Sequence, residues 1–359
     1  MAKTVEGARM KETVLSILEN VSPEYISGED IAARLFMTRA NVWKEIRKLR
    51  RAGYDISAST RRGYSLSAAT DFLSEHSIVK YCAHSPISGM TILSSVDSTN
   101  TFANLLAQQN PDLSDHVVFS EAQSKGKGRR ERSFFSPAGK GIYMSILLRP
   151  KEMEITDVQL LTICAAVAVC EAISSVCSVS PSIKWLNDIY IGGKKVCGIL
   201  TEGDIEPDLL RYRYVTVGIG VNVQLPDSGI PEEISGIYTA LSEWSPALIN
   251  RNRLAAEILC SFYRMYDNLR VGGAAAVRED IIGEYKTRSM VLGRFVSQVG
   301  VPERLYRAVD ISSQGHLVVE DSLGTRTSWS AGEISICPEA LGTEHSYGEP
   351  DSKRDEVVS

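Results

Sequence analysis

Two segments about fifty residues apart are the most informative for the fold and its chemistry: Ser124-Lys125-Gly126-Lys127-Gly128-Arg129-Arg130-Glu131-Arg132 and Lys184-Trp185-Leu186-Asn187-Asp188. The first segment places five cations and two glycines in nine positions, and apolar strand-like sequence follows it. Glycines let the backbone approach an anion closely, and cations neutralise its charge. The second segment places a lysine, an indole, an amide and a carboxylate at the end of a predicted strand. Together they predict a site for a negatively charged, high-energy intermediate.

Length and charge predict several domains with different partners. The chain has 359 residues, enough for two or three domains, and a formal net charge of −5. Residues 1–67 carry 12 Lys and Arg against 8 Asp and Glu, so the rest of the chain is acidic. A basic module on an acidic body indicates a nucleic-acid partner for that module alone.

The cysteines and the apolar segments favour a cytoplasmic protein without a membrane span. The chain shows no Cys-x-x-Cys spacing and no signal-peptide pattern, which argues against a zinc site and a disulfide framework. The most apolar run, Leu160 to Ile173, is too short for a bilayer and contains Glu171. We expect it to be a buried helix, and we expect buried, reduced thiols at all seven cysteines: Cys82, Cys164, Cys170, Cys177, Cys197, Cys260 and Cys337.

The first 67 residues are typical of a winged helix-turn-helix. Apolar residues recur at helical spacing over 10–20, Ser27 is a candidate cap of a second helix, and Thr38 begins a third that runs to Leu49. Val42, Trp43, Ile46 and Leu49 form its predicted buried stripe, and a small hairpin follows. The alternative is a solvated face on a module used for protein contact. The predicted DNA-binding residues are Thr38, Arg39, Asn41, Lys44, Lys48, Arg61 and Arg62.

The rest of the chain is predicted to be α+β in character. Strand-like runs alternate with helices over 71–285, which indicates a mixed α/β domain. Short strands separated by Gly turns over 286–337 predict a small β-barrel. The polar tail 338–359 is expected to be disordered.

Two phosphate-binding motifs are excluded by residue order. The basic segment lacks the Gly-x-x-x-x-Gly-Lys-Ser/Thr order of a P-loop. The run Val217-Gly218-Ile219-Gly220-Val221-Asn222 has only part of a dinucleotide fingerprint and no helix opens after it. Its glycines are therefore expected to admit a ligand or a second backbone.

Several segments resemble the family of bifunctional biotin–protein ligases and biotin operon repressors of the BirA type, over about residues 10–337. The basic segment is similar to that family's Gly-Arg-Gly-Arg-Arg-Gly-Arg loop, and Lys184–Asp188 to its Lys-Trp-Pro-Asn-Asp. Further similar segments are Ser98-Thr99-Asn100, Lys195-Val196-Cys197-Gly198-Ile199-Leu200, Gly220-Val221-Asn222 and Ser330-Ala331-Gly332-Glu333-Ile334-Ser335. The resemblance implies a class II synthetase-like ligase domain and an SH3-like C-terminal barrel.

The resemblance also implies a two-step reaction. Biotin's carboxylate attacks the α-phosphate of ATP to give biotinyl-5′-AMP and pyrophosphate, and a lysine of a biotin carboxyl carrier protein then takes the biotin. Lys184 and Arg129 would be catalytic, and Asp188 would bind Mg²⁺. The implied biotin-binding residues are Ser98, Thr99, Asn100, Gln123, Gly126, Lys127, Gly128, Arg129 and Lys184. The implied nucleotide-binding residues are Arg129, Arg130, Arg132, Asn187, Asp188 and Asn222.

By the same resemblance, bound adenylate would favour a homodimer that places two winged helices on operator DNA. Three positions depart from the family pattern: Lys127 for arginine, Glu131 for glycine and Leu186 for proline. Lys127 keeps the charge without the bidentate fork of arginine, and Glu131 stiffens the loop. Alternatives are a lipoate-type protein ligase, a regulator that senses biotin without ligating it, and a ligase whose N-terminal module no longer binds DNA.

Overall fold

The computed structural model describes residues 13–337 apart from 52, 68–69, 83–85, 152, 207, 210 and 273–274. The helical start predicted before residue 13 and the tail predicted to be disordered, 338–359, lie outside the described residues.

The N-terminal unit is a three-helix module with a hairpin. Its elements are α1 (Val14–Val21), α2 (Gly28–Arg34), α3 (Arg39–Arg51), β1 (Ile56–Ser59) and β2 (Gly63–Leu66). The Ser27 hydroxyl accepts the backbone N–H of Asp30 at 3.0 Å, and the Thr38 hydroxyl accepts that of Asn41 at 3.2 Å. These bonds satisfy helix N–H groups that would otherwise lack partners, so both predicted helix starts are confirmed.

Trp43 corrects the predicted buried stripe of α3. Val42 and Ile46 are buried, but the Trp43 side chain is 49% exposed. The guanidinium of Arg47 lies 4.6 Å from the centre of the indole ring. Adjacent residues on a helix differ in direction by about 100°, so Val42 and Trp43 cannot both point into one narrow core.

The central unit is a seven-stranded mixed sheet with helices around it. The strand order is β3-β4-β5-β9-β8-β7-β6, and only the β3–β4 pair is parallel. Its elements are α4 (Glu75–Tyr81), β3 (Gly89–Leu93), α5 (Thr99–Gln109), β4 (His116–Ser120), β5 (Gly141–Leu148), α6 (Val158–Cys177), β6 (Ser182–Lys184), β7 (Asp188–Ile191), β8 (Lys194–Glu206), β9 (Arg211–Asn222), α7 (Glu232–Ser235), α8 (Arg251–Gly272) and α9 (Ala275–Thr287).

Helix α6 is the centre of the hydrophobic core, as the sequence predicts. The helical stretch Ile155–Cys177 is long and apolar enough to cross a membrane, yet 78% of its most apolar window is buried within the protein. It packs against α8 and α9 and against strands of the sheet. Every residue of β5 is buried too, and Ser145 is a polar side chain within its otherwise apolar run.

One pair of cysteines contradicts the prediction of reduced thiols throughout. Cys82 and Cys260 form a disulfide, with their Cα atoms 6.0 Å apart. Cys82 directly follows α4 and Cys260 lies in α8, and these two helices pack together. The partners are 178 residues apart in sequence, so no local spacing could identify them. The free thiols are Cys164, Cys170, Cys177, Cys197 and Cys337.

The C-terminal unit is a five-stranded antiparallel sheet ordered β13-β12-β11-β10-β14. Residues 326–336, near the end of the segment predicted to form a small β-barrel, contain two strands on opposite edges of this sheet. The indole N–H of Trp185 donates to the carbonyl of Gly315 at 3.0 Å and so ties this sheet to the central unit. Its strands are β10 (Phe295–Gln298), β11 (Val301–Ile311), β12 (Leu317–Glu320), β13 (Arg326–Trp329) and β14 (Ile334–Ile336).

The predicted α+β fold class is therefore confirmed, with a helix-turn-helix unit before a mixed α/β unit and a small antiparallel β unit after it. The predicted domain boundaries stay predictions.

Candidate functional site

The two segments singled out from the sequence meet in the structure. Arg129 lies in the basic segment 124–132, hereafter the basic loop. It donates from Nη1 to the Asn187 side-chain oxygen at 3.0 Å. The Asn187 amide in turn donates to the carbonyl of Ile199 at 2.7 Å. The loop is thus held against the β6–β7 turn and the edge of β8, and both segments line one pocket.

That pocket collects almost every residue predicted for ligand binding. Its walls come from the start of α5, the basic loop, the β6–β7 turn, β8, β9 and the segment before β14. Gly126 alone among the predicted binding residues is not part of the wall. The predicted residues that line it are Ser98, Thr99, Asn100, Gln123, Lys127, Gly128, Arg129, Arg130, Arg132, Lys184, Asn187, Asp188 and Asn222.

One end of the pocket is a buried network of hydroxyls and amides. The Ser98 hydroxyl caps α5, and the Thr99 backbone N–H donates to Gln123 Oε1 at 2.8 Å. The Ser145 hydroxyl donates to Asn100 Oδ1 at 2.6 Å, and its oxygen lies 2.8 Å from Thr99 Oγ1. These bonds orient the polar groups before a ligand arrives, which suits recognition of an uncharged group with both donors and acceptors.

Two members of this network were not predicted. Ser145 lies in β5, and the Glu202 carboxylate accepts from Asn100 Nδ2 at 2.8 Å. Ser145 stands alone in a run of apolar residues, and that isolated hydroxyl is the signal that could have identified it.

The basic loop leaves no room for a side chain at Gly126. A Cβ atom there would lie 2.4 Å from the Phe134 carbonyl oxygen and 2.8 Å from the Ser136 hydroxyl. Any side chain would therefore displace the loop. Gly218 and Gly220, expected to admit a ligand or a second backbone, line the pocket, and the side chains of Asn100 and Phe134 lie close to them.

The basic loop contains two residues with left-handed backbone. Arg130 has φ 52° and Glu131 has φ 60°. Such a conformation costs an ordinary side chain about 1–2 kcal/mol, whereas glycine adopts it freely. Glu131 thus occupies a position where glycine would relieve strain.

Lys184 ends β6 and is only partly exposed. Burial lowers the pKa of Lys184 because the ammonium group loses hydration, and the carboxylates of Asp188 and Glu333 offset part of that effect. Its Nζ lies 5.7 Å from the centre of the Tyr190 ring. An anion entering the pocket would restore the favourable surroundings that burial removes.

A second lysine, Lys195, was not predicted as a site residue. Its Nζ lies 2.7 Å from Asp188 Oδ1, and a Cβ atom on Gly198 would approach that Nζ to 3.3 Å. Lys195 therefore lies along the pocket wall beside the strand residue Gly198. It belongs to a segment that resembles the family, and that resemblance was the signal that could have identified it.

The C-terminal sheet closes one side of the pocket. Arg132 of the basic loop donates to Glu333 Oε1 at 2.5 Å, and Gly332 and Ile334 also line the cavity. The Tyr285 hydroxyl, on α9, donates to the carbonyl of Leu186 at 2.9 Å. Helix α9 and the C-terminal unit thus both hold the lysine-bearing segment.

The pocket offers few side chains that could bind a metal ion. Within the part of the chain that the structure describes, no group of three or more His, Cys, Asp or Glu side chains could hold a metal ion. Asp188 offers one carboxylate, now paired with Lys195. One carboxylate is enough for an Mg²⁺ ion that arrives on the phosphates of a nucleotide, because Mg²⁺ keeps most of its other ligands as water and phosphate.

The predicted DNA-binding side chains lie on the surface of the N-terminal unit. Arg62 in the hairpin turn lies over the Tyr25 ring, with its guanidinium 4.0 Å from the ring centre. Lys48 pairs with Glu45 at 2.6 Å. Exposed are Thr38, Arg39, Asn41, Lys44, Lys48, Arg61 and Arg62.

Comparison with known families matches two parts of the chain. Residues 11–65 match an HTH domain model, and residues 92–222 match the biotin/lipoate A/B protein ligase family. These ranges contain the predicted winged helix and most of the pocket.

Comparison with individual proteins covers nearly the whole chain. The bifunctional ligase/repressor BirA of Bacillus spizizenii is 32% identical over 90% of this chain and 97% of its own length. Its counterpart in Escherichia coli is 26% identical over 87% and 93%. The biotin protein ligase of Aquifex aeolicus, solved with biotin and ATP, superposes with a TM-score of 0.58 at 27% identity, over 70% of this chain and 99% of that one.

Proposed function

The chain belongs to the BirA family of bifunctional ligase/repressors, and from its site we propose that it is a biotin protein ligase. Its N-terminal unit represses transcription. The protein joins biotin to ATP as biotinyl-5′-AMP with release of pyrophosphate, and then passes the biotinyl group to a lysine of a biotin carboxyl carrier protein. Both steps bring charged or polar partners together, so positioning and charge neutralisation account for most of the catalysis.

The observation that carries this proposal is the arrangement of the pocket. A buried hydroxyl and amide network around Thr99 and Asn100 lies at one end. Arg129 and Lys184 line the same pocket. The first group suits the uncharged ureido ring of biotin, and the cations suit its carboxylate and the phosphates of ATP.

In this proposal each cation of the pocket binds a particular anionic group of the substrates. Lys184 and Lys195 would meet the carboxylate and the α-phosphate, and Arg129 would hold the adenylate phosphate. Arg130, Arg132, Asn187, Asp188 and Asn222 would lie on the nucleotide side, with Asp188 as one ligand of an ATP-bound Mg²⁺ ion. No side chain needs to act as a nucleophile, because the carboxylate and the acceptor amine attack directly.

The biotin end involves three further residues of the loop. Gln123, held by Thr99, would contact the ureido group together with Ser98 and Asn100. Gly126, Lys127 and Gly128 would close over the ligand, and the nearby Phe134 carbonyl leaves no room for a side chain at Gly126. The departures at Lys127 and Glu131 would tune how tightly the loop retains the adenylate, and Leu186 the exit from β6.

The regulatory part of the proposal concerns DNA and self-association. The adenylate would order the loop, favour a homodimer, and so present two recognition helices to an operator with two half-sites. Because DNA and carboxylase subunits are both intracellular, we place the protein in the cytoplasm.

Biotin-dependent ATP–pyrophosphate exchange tests the proposal. The purified chain should exchange labelled pyrophosphate into ATP with biotin and Mg²⁺, and not without biotin. Lipoate in place of biotin tests the related ligase type, because exchange with lipoate alone would identify a lipoate-type ligase. Absence of exchange with either acid, together with tight biotin binding by calorimetry, would instead identify a sensor that does not ligate.

A further inference from the structure

A buried arginine outside the pocket joins three separate parts of the chain. Arg251, the first residue of α8, is 1% exposed, and arginine is almost never fully buried unless it is paired. Its Nε lies 2.8 Å from Asp71 Oδ2. Its Nη1 lies 2.8 Å from Glu121 Oε2 and 3.0 Å from the Gly141 carbonyl oxygen.

The three partners of Arg251 lie in the interdomain segment and at the two ends of one loop. Asp71 belongs to the segment that connects the winged helix to the central unit. Glu121 directly follows β4, and Gly141 begins β5. Glu121 and Gly141 are therefore the two ends of the long loop that carries Gln123 and the basic segment 124–132. One guanidinium thus joins the interdomain segment to both ends of the ligand loop.

The interdomain segment is held at further points. The Leu73 backbone N–H donates to the second oxygen of Glu121 at 2.7 Å. Asn252, next to Arg251, donates to the Phe72 carbonyl at 2.9 Å and accepts from the Ser74 N–H at 2.9 Å. The segment 71–74 is consequently bound to the same two residues of α8 and to the loop end, so it cannot shift independently of them.

On its other side this segment contacts the winged helix. The Phe72 ring stacks on Tyr54, with ring centres 4.6 Å apart. The Tyr54 backbone N–H donates to the carbonyl of Leu49, near the end of recognition helix α3. Asn20 of α1 and His76 of α4 are hydrogen-bonded at 2.9 Å. Contacts therefore run without a gap from the ends of the ligand loop to the recognition helix.

We propose that Arg251 is a positioning residue that couples the state of the ligand loop to the orientation of the winged helix. The inference rests on the proposed function, in which the adenylate orders that loop. If ordering draws Glu121 and Gly141 together or apart, Arg251 must move with them, because a buried charge cannot lose its partner cheaply. Asp71 and the interdomain segment follow, and the adenylate then changes the free energy of the DNA-binding arrangement.

Asp71→Asn tests this with little risk to folding. Arg251 keeps Glu121 as its charged partner, so no buried charge is left alone, and only the tie to the interdomain segment is weakened. Asp157→Asn is the matched control, since Asp157 is also paired with an arginine, Arg278, at 2.7 Å but lies away from the interdomain segment. Phe72→Leu is a second test variant, which removes the stacking on Tyr54 and leaves the loop ends untouched.

The readout is the ratio of DNA affinities with and without biotinyl-5′-AMP. The adenylate is supplied as such, so a chain unable to make it still reports coupling. The probe is a duplex selected from random sequence by the wild-type protein with adenylate. Couplings between sites are typically roughly 5- to 150-fold, and we expect a wild-type ratio in that range. Asp71→Asn and Phe72→Leu should lower it by about threefold or more, with pyrophosphate exchange kept within about twofold.

Several results would overturn the proposal. A wild-type ratio of one, or a ratio in Asp71→Asn equal to that of the wild type, would show that this contact carries no coupling. A parallel loss of exchange and of the ratio would show that the cluster merely supports the pocket. An equal fall in Asp157→Asn would make the effect nonspecific. Wild-type protein that lacks exchange but keeps the ratio would defeat the ligase function alone.

Discussion

Two cationic regions of this chain have similar composition and opposite shapes. The recognition helix α3 and the hairpin turn present Arg39, Lys44 and Arg61 on a convex, solvated surface. The basic loop directs Arg129 into a concave pocket, where Asn187 binds it, and the more exposed Arg132 pairs with Glu333. An open row of cations suits an extended polyanion, whereas a closed set with buried neighbours suits one small anion.

The neighbours of a cation decide its function more than its charge does. In the pocket, burial shifts the pKa of Lys184 and preorganises polar groups, so each cation acts on a defined atom. On α3 the cations remain hydrated, so their contribution should depend on salt. The variants below either remove a cation from one region or change how a loop holds it.

The largest effect is expected from the pocket lysines. Lys184→Ala should lower biotin-dependent pyrophosphate exchange by about 10²–10³-fold, as for loss of a group that stabilises transition-state charge. Lys195→Ala distinguishes the two lysines. Removal of the lysine that meets the reacting atoms should lower mainly kcat and leave KM nearly unchanged. Lys140→Ala, which removes a lysine paired with the exposed Asp227, is the control. Unchanged exchange in both pocket variants would remove these lysines from the chemistry.

Removal of cations from the convex face should affect DNA binding alone. Arg39→Ala should weaken specific DNA binding by about 1–3 kcal/mol if Arg39 reads a base, whereas Lys44→Ala should reduce the salt slope by about one if Lys44 binds a phosphate. Binding measured over a series of salt concentrations separates these cases. If both variants keep the wild-type DNA affinity and salt slope, this face is used for protein contact instead.

The lowered pKa of Lys184 predicts a pH dependence. The free enzyme should lose its ammonium charge at a pH below the ordinary lysine value of 10.5, so kcat/KM falls as the pH rises through that lower value. Lys184→Arg keeps its charge throughout this range, so any remaining activity should lack that alkaline decline. A decline of the same midpoint in the arginine variant would assign it to another group.

The smallest effect is expected at Glu131. Glu131→Gly removes a left-handed side chain and one negative charge from the loop, and should tighten adenylate retention by about 1–2 kcal/mol if strain and repulsion act together. The rate of biotinyl-5′-AMP release measures this. Faster release in the variant would mean that the stiffness contributed by Glu131 outweighs its strain.

Much of this structure follows from local sequence patterns, and the failures share a cause. Helix caps at Ser27 and Thr38 and the buried helix α6 depend on neighbouring residues, so periodicity and capping patterns predict them. Sequence patterns do not single out α4 and β7, which are too brief, or α9, whose apolar residues are too weakly periodic.

The missed parts of the site depend on contacts distant in sequence. Ser145 and Glu202 join the polar end only because β5 and β8 lie beside the start of α5. Lys195 reaches the pocket across a hairpin, and the Cys82–Cys260 bond needs two helices 178 residues apart to pack. Such pairings are properties of the folded topology, which no motif spacing encodes.

The most direct test of the comparison measures both functions on the same two variants. Biotinyl-5′-AMP formation and affinity for nonspecific duplex DNA without ligand would be determined for Lys184→Ala and for the double variant Arg39→Ala/Lys44→Ala. We predict that the first loses adenylation and keeps DNA affinity, while the second keeps adenylation and loses DNA affinity. Loss of both functions in either protein would contradict two separate cationic sites.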